Sequence, residues 1–61
     1  MKILITLNSG DIFKFNLTEE TCKSFKMDAL NCQWLKLNDY GYEANTEVFI
    51  RKENISYYAI K

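Results

Sequence analysis

One helical segment set between two β-rich stretches limits what this chain can fold into. Residues 18–31, TEETCKSFKMDALN, carry Cys22, Phe25 and Ala29 at spacings of three and four, which makes one apolar stripe. Leu30 widens that stripe and Met27 flanks it, while Lys23, Ser24, Lys26 and Asp28 form the wet side. Thr18 is placed to accept an orphan N–H of the first turn, and Glu19 and Glu20 follow at the positive end of the helix dipole. Glu19 and Lys23 stand four apart, in the order that favours an ion pair. Asn31 predicts the stop, because Asn tolerates the left-handed geometry of many helix ends. A stripe this narrow fits one helix lying on one sheet face.

The flanks read as strands. Over 2–7, Ile3, Ile5 and Leu7 share a face; over 12–17, Phe13, Phe15 and Leu17 do, with Lys14 and Asn16 opposite. Asn8-Ser9-Gly10-Asp11 turns the chain between them, so the two form a hairpin. After the helix, 33–37 is a third strand, with Leu35 and Leu37 pointing one way and Trp34 and Lys36 the other. Residues 38–41 give a turn signal, and 42–46 fit an extended loop or a short strand. A strand over 47–50, a polar turn over 51–54 and a closing strand over 55–60 complete the order ββαβββ. The expected architecture is α+β: a single domain over 1–61, with an antiparallel sheet of about five strands and one helix packed on one face. The strands at 3–7 and 55–60 are apolar enough to pair with another copy at a sheet edge, which predicts a homodimer or higher homo-oligomer.

Composition narrows the chemistry. There is no histidine, the commonest general base and metal ligand. With two glycines, no phosphate-cradling loop is spelled out. Cys22 and Cys32 lack zinc-site spacing, and a helix between them would hold them about 15 Å apart, beyond disulfide reach. Asp39, Glu43 and Glu47 do not match a calcium loop. No catalytic, metal or cofactor site is expected, and the chain reads as a non-enzyme. Two free thiols and a start without an apolar leader predict a reducing, cytoplasmic setting. No apolar run is long enough to span a membrane.

The informative excess is aromatic. Trp34, Tyr40, Tyr42, Tyr57 and Tyr58 all fall in the second half. Trp34 is expected to pack over the helix end, and one of Tyr57 and Tyr58 to point inward. Tyr40 and Tyr42 flank Gly41 in a predicted loop among Asp39, Glu43 and Glu47, and at least one should be exposed. Exposed Tyr and Trp anchor protein interfaces, and they also stack on bases. Acidic neighbours and a net charge of zero favour a protein partner over nucleic acid. The candidate partner-binding residues are therefore Trp34, Asp39, Tyr40, Tyr42, Glu43, Arg51, Lys52 and Tyr57. A nucleic-acid regulator would need Lys2, Lys14, Lys23, Lys26, Arg51 and Lys52 brought together in space. A small-molecule sponge would need a tyrosine-lined pocket between subunits.

Residues with AT-rich codons (Phe, Tyr, Met, Ile, Asn, Lys) supply 29 of the 61 positions, which points to an AT-rich genome. The opening KILITLNSGDIFKF, the helix, the Gln33-Trp34-Leu35 strand and the ending VFIRKENISYYAI resemble small open reading frames of phages and mobile elements in low-GC Gram-positive bacteria. That resemblance implies a protein that binds and inhibits or modulates a host protein, antiviral defence components included.

Overall fold

A computed structural model describes residues 1–61. Its elements are β1 (Lys2–Leu7), β2 (Ile12–Asn16), α1 (Glu19–Asn31), β3 (Trp34–Lys36), a 3-10 turn at Leu37–Tyr40, β4 (Phe49–Arg51), a 3-10 turn at Lys52–Asn54, and β5 (Ile55–Ile60). The class is α+β, as expected, but the five strands divide into two antiparallel sheets. A three-stranded sheet has the order β2-β1-β5, and β3 pairs with β4 in a separate ribbon. Strand β1 is therefore central and not an edge. The free edges of the larger sheet belong to β2 and β5.

The hairpin forms as its alternation requires. Ile3 pairs with Phe15 and Ile5 with Phe13, which puts the apolar set on one face. Gly10 takes a positive φ of 97° in the turn. On the other side of β1, Ile5 faces Tyr58 and Ile3 faces Ile60. The register shifts between Thr6 and Leu7, so Leu7 meets Ile55 and Ser56 is the extra residue. Side chains alternate with a period of two, so this bulge keeps Ile55 on the inner face with Tyr58 and Ile60.

Helix α1 starts as predicted. The Thr21 N–H donates to Thr18 Oγ1 at 3.1 Å, and the Thr18 N–H donates to Thr21 Oγ1 at 2.8 Å. Cys22, Phe25 and Ala29 are buried, and the Phe25 ring meets Tyr40 and Tyr58 edge-on at 5.3 and 5.0 Å. Several finer expectations are corrected. Leu30 is 78% exposed, so the stripe stops at Ala29. Asn31 is the last helical residue, and its side chain turns back to donate to Met27 O; the cap is Cys32 in extended conformation. Glu19 and Lys23 do not close an ion pair, because two exposed long side chains gain little from holding each other in water; the salt bridges are Lys36–Glu47 and Arg51–Glu53.

The core joins both sheets to the helix through Ile3, Ile5, Leu17, Phe25, Leu35, Leu37 and Ile50. The chain leaves β3 one residue earlier than the Leu35/Leu37 alternation suggests. Leu37 starts a 3-10 turn that ends at Gly41, with φ of 116°. Asn38 organises the segment beyond this turn. Its amide donates to Thr46 O at 3.1 Å and its Oδ1 accepts from the Val48 N–H at 2.8 Å. The ambiguous segment 42–46 is accordingly a tethered loop.

Candidate interaction site

The candidate residues part into three places. Tyr40 is 5% exposed, and its Oη donates to the Asp28 carboxylate at 2.6 Å. Burial first, and the bond to Asp28 second, push its phenol well above the ordinary range. Tyr42 is half-buried, with its ring edge-on to Phe13 and Phe15 at 5.5 and 5.6 Å. Neither tyrosine stands free. The expectation of an exposed aromatic loop is corrected: Tyr40 packs on Phe25 of the helix and Tyr42 covers Phe13 and Phe15 of β2, leaving Asp39 and Glu43 exposed.

Tyr57 lies elsewhere, 57% exposed on the outer face of the larger sheet. Lys52 serves the helix: its ammonium donates to Leu30 O at 3.3 Å, a cation at the negative end of the dipole, and its N–H donates to Gln33 O at 2.8 Å.

Trp34 and Arg51 form the third place. Trp34 is 55% exposed, contrary to the expectation of a core tryptophan. The alternation that turns Leu35 and Ile50 inward turns Trp34, Lys36, Phe49 and Arg51 outward, and no third layer covers them. Trp34 pairs across the ribbon with Arg51, and Phe49 pairs with Lys36. The Arg51 guanidinium lies 5.6 Å from the Trp34 ring centre, and the Lys36 ammonium lies 5.8 Å from that of Phe49. Each cation also holds a carboxylate, Glu53 at 3.2 Å and Glu47 at 3.1 Å. The Glu47 hydrogen bond and charge raise the Lys36 pKa, so Lys36 stays protonated. The ribbon face is thus two aromatic rings braced by two cations, with its charge balanced at the rim.

Beside it is an open depression of about 300 Å³, lined by Leu30, Cys32, Arg51, Lys52 and Ile55 among others. Arg51 belongs to both surfaces and joins Trp34 to this depression. No protein-family model, curated protein or solved structure matches the chain.

Phe49, Lys36 and Leu30 are absent from the candidates that the sequence suggests. A signal for the first two exists, since pairing Leu35 with Ile50 places all four outward residues together. Leu30 carries the opposite signal, because it extends the apolar stripe. His, Cys, Asp and Glu side chains nowhere gather in groups of three or more that could hold a metal ion. No helix is long and apolar enough to cross a membrane.

Proposed function

We propose that this chain is a non-enzymatic interaction module of a phage or mobile element, acting in the bacterial cytoplasm by docking on a host protein and inhibiting or modulating it. The observation that carries the reading is the outward pair Trp34 and Phe49, each more than half exposed on the β3-β4 ribbon and braced by Arg51 and Lys36. Trp and Arg are the residues that dominate protein–protein binding energies. Glu47 and Glu53 neutralise the cations, which favours a protein partner at this face over a polyanion. Exposed Leu30 and the adjoining depression extend the surface and add one unpaired cation, Lys52.

Self-association is part of the same proposal. Strand β5 has an outward edge, and residues 56–60 donate and accept no hydrogen bonds beyond the sheet. The sequence ISYYAI carries no charge and no proline to blunt it. A second copy pairing antiparallel along this edge would extend the sheet from three strands to six.

The test is affinity capture from a low-GC Gram-positive lysate treated with nuclease, comparing the native chain with a folded Trp34→Ala/Phe49→Ala double variant. One stoichiometric host protein, retained after nuclease and lost in the variant, is the expected result. Equal capture by the variant would exclude the ribbon face.

A further inference from the structure

The outer face of the three-stranded sheet has a chemistry of its own. The register sets it out in three rows. Lys2 lies between Asn16 and Lys61, Leu4 between Lys14 and Ala59, and Thr6 between Ile12 and Tyr57. At ordinary strand spacings these rows cover about 10 Å across the strands and about 14 Å along them. The face carries three lysines and no acidic side chain. None of the three is in a salt bridge, since both ion pairs of the molecule use Lys36 and Arg51. In a chain of net charge zero, this face therefore holds +3 in side-chain charge and the remainder holds −3. Lys2, Leu4, Lys14, Tyr57, Ala59 and Lys61 border a shallow depression of about 410 Å³. Of the six basic residues that a nucleic-acid regulator would have to gather, only Lys2 and Lys14 meet here. Lys61 joins them, Lys23 and Lys26 sit on the helix, and Arg51 and Lys52 belong to the ribbon end.

We infer that this face binds single-stranded nucleic acid, with Lys2, Lys14 and Lys61 on phosphates and Tyr57 stacked on a base. A second copy is a poor occupant, because like faces would bring six lysines together. An acidic peptide is a weaker match. Peptides gain affinity on sheets by main-chain pairing at an edge, and here the β1 backbone is already paired on both sides by β2 and β5. A nucleic-acid strand needs no main-chain partner: every base has a π-face and every phosphate needs only a cation. Ile12 and Leu4 supply apolar floor beside the tyrosine. The inference is independent of the ribbon face, which lies on the other sheet.

The experiment is fluorescence anisotropy of a short labelled oligothymidine with the full chain, titrated over a range of salt. Three phosphate contacts predict a slope of log K against log salt near about −2. Lys14→Gln should make the slope shallower by roughly 0.7. Tyr57→Ala should weaken binding about tenfold while leaving the slope unchanged, and Tyr57→Phe should restore it, because stacking needs the ring and not the hydroxyl. Trp34→Ala should bind as the native chain does. Absence of binding at low salt overturns the inference. So does indifference to Tyr57→Ala in a folded variant, or displacement of the oligonucleotide by polyglutamate at equal charge, which would make the surface a generic polyanion or acidic-peptide face.

Discussion

The Tyr40 hydroxyl donates to the Asp28 carboxylate at 2.6 Å and ties the turn after β3 to the last turns of α1. Twelve residues separate the two in sequence. Between them the same ring stands edge-on to Phe25 at 5.3 Å, so one residue serves both the core and the polar closure over it.

Tyr40→Phe keeps the ring contact and removes the bond. A hydrogen bond to a charged group contributes about 1.5–3 kcal/mol, and Asp28 is only half-buried and regains water, so the expected loss is about 1–2 kcal/mol. The pH dependence comes from the raised phenol pKa. Tyr40 ionises less readily folded than unfolded, where the ordinary value is 10.0, so its contribution is complete below that pH and is lost as pH rises beyond it. Denaturant titrations above and below pH 10.0 should show stability falling on the alkaline side, with a smaller fall in Tyr40→Phe.

Gly41 combines a φ of 116° with a close approach: an added Cβ would stand 2.8 Å from Asn16 O, a backbone atom. Gly41→Ala therefore meets conformational strain and a clash with an atom that cannot swing aside, at a cost of about 2–4 kcal/mol. Gly10, with φ of 97°, has open space around its missing Cβ. Gly10→Ala should cost only the strain, about 1–2 kcal/mol. Thermal melts of the two variants should rank in that order.

Thr6 Oγ1 is buried on the outer sheet face and makes no hydrogen bond. Thr6→Val has nearly the same shape and removes an unsatisfied group. It should stabilise the domain by about 1 kcal/mol, seen as a Tm rise of about 4–8 °C. An unchanged or lower Tm would mean that the hydroxyl is satisfied in solution.

Ala59→Lys puts a charge on the free β5 strand without touching the core. If a second copy pairs there, sedimentation velocity should show a dimer for the native chain and a monomer for the variant. A native chain that stays monomeric at high concentration would remove the seam.

Where local pattern and tertiary need agree, the fold is legible in the chain. The hairpin over 2–16 is such a case, because its alternation, its Gly10 turn and its core face all require one register. The stripe of Cys22, Phe25 and Ala29 is another. Reading fails where a residue's fate depends on which layer exists above it. Trp34 is large and apolar, but its ribbon has a partner only on the Leu35 side. Tyr40 sits beside a glycine among acids, as a surface loop would, and only the approach of α1 provides Asp28 and Phe25 to bury it. The division into two sheets is invisible for a similar reason. The turn starting at Leu37 ends β3 early, and apolar alternation carries no mark of the change. Of the candidate site, Trp34 and Arg51 are legible in the sequence, but their neighbour Phe49 needs the pairing of β3 with β4.

The loop after Gly41 lies against β2 at Asn16, with Tyr42 folded over Phe13 and Phe15, whereas residues 56–60 of β5 make no hydrogen bond beyond the sheet. The larger sheet thus has one obstructed margin and one open margin, so the pairing proposed along β5 would have a valence of one. Units with a single sticky side close as pairs, and units with two go on to fibres. If copies pair along β5 as proposed, Gly41, through its fit against a neighbouring carbonyl, sets where assembly stops: loosening that loop would free a second pairing edge.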